Sequence, residues 1–274
     1  MSYLQELFGL QGKVAVVTGG TGVLGGTMCS ALSMAGASVV IMGRRKEAAE
    51  QLAGEIKRSG GTALGMVADV LNEEQLQEAK KTIVDRLGSI DILVNGAGGN
   101  IPGAAIPPDK TFMDLKTENF KNVFDLNLTG TVLASRIFAE VMVASKKGVI
   151  VNISSVTSIR PLTRVPGYSA AKAAVNSFTQ WLAVEMAKKY GEGIRVNAIA
   201  PGFFLAHQNK RLLTNADGSL TERGQLIIRA TPFGRFGNPD ELCGTLLWLC
   251  SDASRFVSGV VVPVDGAYNA YGGI

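Results

Sequence analysis

Ser155, Tyr168 and Lys172, in the stretch NISSVTSIRPLTRVPGYSAAK, bring a hydroxyl, a phenol and an ammonium close together in the chain. Four residues apart on a helix, Tyr168 and Lys172 lie within about 40° of each other on one face, so the ammonium can sit below the phenol. A phenol gives or takes a proton near neutrality only if its pKa of about 10 is brought down, and the neighbouring ammonium is the charge expected to do so. Ser155 can donate a hydrogen bond to a reacting oxygen and fix its position, which is orientation and charge stabilisation rather than nucleophilic attack. Such a set suits proton transfer at a carbinol or carbonyl oxygen.

These residues need a scaffold, and the chain repeats one grammar that supplies it. Short β-branched runs stand at 14–18, 38–43, 62–69, 91–95, 148–154, 194–200 and 259–265, separated by longer segments with helical spacing. Near-continuous apolar strands of this kind are buried on both faces, which implies a parallel, doubly wound sheet covered by helices on either side. No linker or repeat interrupts the pattern, so residues 1–274 are expected to form a single domain. The stretch from Gly202 to about Pro232 breaks the grammar and reads as a substrate-binding lid.

The first run opens VAVVTGGTGVLGGTMC, which spells a glycine motif in either of two registers. It follows a strand and opens a helix expected from about Val23 to Ala35. In that context glycines let backbone N–H groups approach a pyrophosphate at a helix N-terminus.

Composition narrows the alternatives. The chain has 274 residues, 46% hydrophobic and 18% charged, with a net charge of +4 spread without basic blocks. That pattern argues against nucleic acid and for mild attraction of anionic small molecules. Cys29, Cys243 and Cys250 form no C-x-x-C pair and leave an odd thiol, as a reducing compartment tolerates. No apolar run approaches the roughly 20 residues of a membrane span and no secretion signal is evident, so a cytoplasmic protein is expected. The only histidine, His207, cannot build a metal cluster, and no G-x-S-x-G elbow accompanies it. No metal is expected, and His207 is as easily a loop residue as a substrate contact.

On DILVNGAG (91–98), Asn127, Ser155, the Y-x-x-x-K at 168 and 172, and Pro201-Gly202, the chain resembles the short-chain dehydrogenase/reductase family along nearly its whole length. The resemblance implies a Rossmann-like α/β fold of about seven parallel strands, a nicotinamide cofactor, catalysis by Asn127, Ser155, Tyr168 and Lys172, and a homotetramer. It implies further that Lys172 holds the nicotinamide ribose and that Asn127 anchors a proton-relaying water. The compact branch of the family usually carries glycine at the place of Val23. The working register is therefore Thr18-Gly19-x-x-Gly22-x-x-Gly25, with Val23 and Leu24 at the diphosphate. Asp69 and Val70 resemble the adenine contacts, Asn95, Gly96, Ala97 and Gly98 the cofactor-facing loop after the fourth strand, and Pro201 and Gly202 a further cofactor contact.

Where NAD-binding folds end the second strand with an acid, this chain has Gly43 followed by Arg44 and Arg45. That reads as a 2′-phosphate site and favours NADP(H), with NAD(H) as second choice. Asn100, Arg160, Arg164, His207, Gln208 and Asn209 form a polar, cationic set suited to a carboxylate. The segments RPLTRVPGYSAAK and NAIAPGFFLAHQN resemble the family's sugar-acid subgroup, the D-mannonate oxidoreductases (fructuronate reductases) and gluconate 5-dehydrogenases. Alternatives are a 3-oxoacyl thioester reductase and a non-catalytic NAD(P) sensor. The sensor would be expected to have lost one of Ser155, Tyr168 or Lys172.

Overall fold

The computed structural model of the chain describes residues 2–101, 103–205 and 212–273. Seven strands form one sheet: β1 (Val14–Thr18), β2 (Ser38–Gly43), β3 (Ala63–Val67), β4 (Ile92–Asn95), β5 (Gly148–Ile153), β6 (Ile194–Pro201) and β7 (Val261–Val264). Every pair is parallel and the order is β3-β2-β1-β4-β5-β6-β7. All seven strands stand where the apolar runs place them, although β3 and β7 are shorter than their runs. Both are sheet edges: Val67 of β3 is exposed and β7 is only half-buried, whereas β1, β4 and β6 are buried throughout.

The helices in chain order are α1 (Tyr3–Phe8), α2 (Val23–Met34), α3 (Lys46–Arg58), α4 (Glu73–Leu87), α5 (Thr117–Phe124), α6 (Gly130–Ser145), α7 (Pro166–Tyr190), α8 (Glu222–Ala230) and α9 (Cys243–Cys250). Side chains alternate across each strand and so feed two cores. Ala15, Val17, Val39 and Ile41 pack with Met28 and Leu32 of α2 and Leu246 and Leu249 of α9. Val14, Val16, Val40 and Met42 pack on the other face with Leu76 and Ile83 of α4, Ile137 and Phe138 of α6, and Leu182 of α7.

Two features of the second face position the site. Residues Thr117–Ser145 form one helical run, long and apolar enough to cross a membrane by length and composition alone. Its apolar side is used in the core, with Val123, Ala134, Ile137, Phe138 and Met142 buried. Within this run Asp125–Thr129 make a π-turn, a local widening common at functional sites, and Asn127 sits in it fully buried. Beneath the strand ends, the Asn95 Nδ2 donates to Ser135 Oγ (2.8 Å) and Asn152 Oδ1 (2.8 Å), and Asn152 Nδ2 donates to Thr179 Oγ1 (2.8 Å). This buried chain ties α6 and α7 to β4 and β5.

Candidate active site

The sheet order reverses direction between β1 and β4, and the crevice at the carboxyl ends of such strands is where open α/β sheets bind ligands. The glycine loop lies at this point. Gly19 takes φ +68°, and a Cβ there would sit 2.6 Å from Gly96 O. A Cβ on Gly25 would come within 2.2 Å of Gly19 O, so the loop must pass close to the start of α2. Gly22 is the N-cap of α2 and offers no side-chain cap, which leaves the first-turn N–H groups of Val23, Leu24 and Gly25 to an incoming anion. Thr18 joins this loop to the next: its Oγ1 accepts from Ala97 N at 3.2 Å. These features fit the diphosphate of a dinucleotide in the register through Gly19, Gly22 and Gly25.

At the end of β2, Arg44 is exposed with no side-chain partner among the described residues, whereas Arg45 Nη2 donates to Thr21 O (2.6 Å) and braces the glycine loop. A Cβ on Gly43 would lie 2.7 Å from Thr21 Oγ1, so an acidic side chain at 43 would first have to displace Thr21. Asp69 is half-buried, with Oδ1 accepting from Leu71 N (3.0 Å), beside the buried Val70. The Asn95 side chain is buried, with its amide bonded to Ser135 and Asn152, so the part of it left for the loop of Gly96, Ala97 and Gly98 is its backbone. Pro201 ends β6, and Gly202 N donates to Val264 O at 2.9 Å.

The proton-transfer residues converge above β5. Ser155 caps the short turn Val156–Ser158 that follows β5, and its hydroxyl accepts from Thr157 N (3.2 Å). Pro166 starts α7 with its φ already helical, and the helix then carries Tyr168 and Lys172 on one face. Lys172 Nζ lies 5.6 Å from the Tyr168 ring centroid and donates to Ile153 O at 2.8 Å. Asn127 clamps Gly99: its Oδ1 accepts from Gly99 N (2.9 Å) and its Nδ2 donates to Gly99 O and Val123 O (both 2.8 Å). A Cβ on Gly98 would lie 2.5 Å from Asn127 Oδ1 and 3.1 Å from Lys172 Nζ, so glycine there lets the loop after β4 come close to Asn127 and Lys172.

Burial dominates the electrostatics. It pushes the Tyr168 phenol up, opposed by a hydrogen bond with Ser155, and it pulls the Lys172 ammonium down to about 8. The sequence-based expectation is that Lys172 lowers Tyr168, with an oxidised nicotinamide ring pushing the same way; in the free protein the shift runs upward instead. With the ammonium held on a backbone carbonyl, desolvation wins in the free protein.

The expected substrate residues separate. Asn100 is exposed, Arg164 is exposed with φ +73° on the turn before α7, and Arg160 Nη1 donates to Tyr271 O at 2.5 Å, which fastens the C-terminal tail. His207, Gln208 and Asn209 lie outside the described residues. Sequence reasoning missed Arg223 of α8, on which the charge of Arg164 acts, and Tyr268 of the tail, on which the charges of Arg160 and Arg223 act. Among the described residues no group of His, Cys, Asp and Glu could hold a metal ion.

Comparison with known proteins supplies independent findings. Residues 13–217 match the family model for short chain dehydrogenase. An uncharacterized oxidoreductase, UxuB of Bacillus subtilis (strain 168), is 45% identical over 274 residues, covering 97% of this chain and 98% of that protein. A provisionally named D-mannonate oxidoreductase from Haemophilus influenza, solved with bound NAD, superposes with a TM-score of 0.90 at 41% identity over 97% of this chain and 98% of its own. A gluconate 5-dehydrogenase from Burkholderia cenocepacia J2315, solved with NADP and tartrate, gives 0.87 at 33% identity over 98% and 100%.

Proposed function

The chain belongs to the short-chain dehydrogenase family, and on that footing we propose that it interconverts a secondary alcohol and a ketone on a sugar acid, of the D-mannonate/D-fructuronate or gluconate/5-ketogluconate type. The observation that carries the sugar-acid reading is the exposed arginine on the turn that leads into the helix of Tyr168. Arg164 stands four residues before it, exposed and without an ion-pair partner among the described residues. A steroid or acyl chain would want an apolar lining there instead. The names and ligands of the similar proteins support the same class.

The bound nicotinamide dinucleotide accepts or supplies the hydride. The chain's own residues do the rest. Tyr168 takes the hydroxyl proton in oxidation and returns it in reduction, Ser155 fixes the reacting oxygen by a hydrogen bond, and Lys172 stabilises the phenolate from below. Asn127 holds the Gly99 backbone and, in this reading, a water that carries the proton outward. The glycine loop, Asp69, Val70 and the Gly96–Gly98 segment hold the dinucleotide, with Lys172 on the ribose.

NADP(H) is the preferred form in this proposal because Arg44, at the end of β2, is exposed and has no side-chain partner among the described residues. Arg44→Ala should weaken NADP(H) by about ten- to hundredfold more than NAD(H), the worth of one charge-assisted hydrogen bond to phosphate. Fluorescence titration of both reduced cofactors measures it, and an equal loss for the two would remove Arg44 from that role.

Assembly as a homotetramer belongs to the same reading and would cover Trp181 and Val184, which lie exposed on α7. So does action in the cytoplasm, where free Cys29, Cys243 and Cys250 stay reduced. The function itself is tested by initial rates of NADPH and NADH oxidation on D-fructuronate, 5-keto-D-gluconate, an acetoacetyl thioester and a 7-oxo bile acid. Sugar acids should give the highest kcat/KM. A higher value for the thioester would favour the 3-oxoacyl reductase reading.

A further inference from the structure

The face of α7 that carries Tyr168 and Lys172 continues one turn further to Asn176, four residues on, and the chemistry described above gives that residue no task. Its carboxamide is half-buried and both ends are taken: Oδ1 accepts from Ser154 Oγ (2.5 Å) and Nδ2 donates to Ser158 Oγ (2.8 Å). Ser154 and Ser158 stand on either side of Ser155, the first directly after β5 and the second closing the turn Val156–Ser158.

The hydrogens can be followed through this cluster. Ser158 Oγ donates to Ser155 O, and Ser158 N donates to the same oxygen at 3.0 Å. One residue thus occupies both lone pairs of the Ser155 carbonyl and holds the peptide plane that follows it. A hydroxyl has a single hydrogen, and that of Ser158 is used there, so towards Asn176 it acts as an acceptor and meets the donor end of the carboxamide. On the other side the Ser154 hydrogen goes to Asn176 Oδ1, its contacts with Ser158 Oγ and Lys172 O being longer at 3.2 and 3.4 Å. Ser155 Oγ itself accepts from Thr157 N (3.2 Å), which leaves its hydrogen for the reacting oxygen. The direction of that hydrogen is set by the turn, and the turn is tied to α7 by Asn176. Lys172 Nζ makes a second tie one turn earlier, on Ile153 O (2.8 Å).

We propose that Asn176 is a positioning residue for the reaction: through Ser154 and Ser158 it fixes the backbone on both sides of Ser155, so that the Ser155 hydroxyl stays aimed at the oxygen on which Tyr168 acts. This rests on the roles given to Ser155 and Tyr168 above and holds for any ketone the site reduces. The helix that supplies the proton-transferring phenol then also sets the angle of the hydroxyl that meets it.

The test measures ketone reduction in Asn176→Ala, Ser158→Ala, the double variant and Asn176→Asp. Each alanine variant should lose about ten- to hundredfold in kcat, the cost of a small misplacement at the reacting atoms, with KM for the ketone near wild type. The two residues act in series, so the double variant should lose little more than the larger single loss. Asn176→Asp keeps the volume but offers only acceptors, so it should draw the Ser158 hydrogen off the Ser155 carbonyl and lose about as much as Ser158→Ala. In Asn176→Ala the Ser154 hydroxyl still has Ser158 Oγ and Lys172 O within reach, and unaltered NADPH affinity by fluorescence reports that the fold is intact. A second readout needs no substrate: the ζ-¹³C resonance of Tyr168 in cofactor-free protein, assigned by its loss in Tyr168→Phe, should move in both alanine variants in the direction that Ser155→Ala moves it. A resonance that stays at its wild-type position, additive kcat losses, wild-type kcat in Asn176→Asp, or a loss of NADPH affinity as large as the loss of kcat would each overturn the proposal. A wild type that reduces an acetoacetyl thioester and not the sugar acids would overturn the sugar-acid reading alone, and the same variants assayed on the thioester would decide the role of Asn176.

Discussion

Tyr168→Phe is expected to abolish turnover while leaving cofactor affinity intact. The ring and its packing on α7 are kept, and only the ionisable hydroxyl, with its hydrogen bond to Ser155, is removed. Positioned acid–base groups contribute about 10²- to 10⁴-fold, so kcat should fall by at least that range. In wild type, alcohol oxidation should speed up with rising pH as the phenol loses its proton, and the residual rate of the variant should show no such rise. Steady-state kinetics with cofactor binding measured separately decides it. Retention of even a tenth of wild-type kcat would remove Tyr168 from its role.

Lys172→Met should damage both turnover and cofactor affinity, because the ammonium faces the phenol from below and, in the proposed complex, the ribose. We expect a loss of about 10²- to 10⁴-fold in kcat, comparable to that of Tyr168→Phe. The same substitution has a signature in stability that does not depend on activity. Burial depresses the folded pKa of Lys172 to about 8 against an ordinary 10.5, so the folded chain binds fewer protons than the unfolded one between those values. Wild-type stability therefore gains with pH across that window, by up to about 1.4 kcal/mol per pH unit for one proton, and Met lacks this gain. Below pH 8 the burial penalty is fully present, so the variant is at its relative best there. Its advantage should shrink steadily from pH 8 to 10.5. Denaturant unfolding of both cofactor-free proteins at several pH values measures the difference, which also cancels the opposite contributions of Cys29 and Cys250, both pushed up to about 12 by burial. A difference that does not change with pH would mean that Lys172 is not depressed by burial.

What the sequence makes legible follows from physics that acts locally. The β-branched runs specify strands because every residue of β1, β4 and β6 is buried, and the spacing of Tyr168 and Lys172 specifies a shared face because α7 is a regular helix from Pro166 onward. Gly19 and Gly25 are readable as a cradle because a loop turning from strand to helix forces close backbone approach. Asn127 is readable as a type but not as a geometry: nothing in DLNLT announces the π-turn that aims its amide at Gly99. The remaining surprises are non-local. The Asn95 amide is held inward because Ser135 and Asn152, far along the chain, offer it buried partners. Arg160 is diverted by a carbonyl more than a hundred residues away, and the charge of Arg164 acts on Arg223 of α8, far along the chain. The direction of the Tyr168 shift is hidden for a related reason, since the spacing of a cation says nothing about how thoroughly the fold excludes water around it.

In the proposed reaction a hydride passes between a nicotinamide and the carbinol carbon of a sugar acid, and isotopic labelling follows that transfer itself. Wild-type protein is incubated with D-fructuronate and NADPH carrying deuterium at both hydrogens of the nicotinamide C4, and the label is located in the product by NMR. One deuterium is expected on the newly formed carbinol carbon of a six-carbon sugar acid, with a single configuration, and none in the Tyr168→Phe reaction. Unlabelled sugar acid, or NADPH consumed with the label appearing only when a 3-oxoacyl thioester is supplied, would show that the hydride goes elsewhere and that the proposed reaction is wrong.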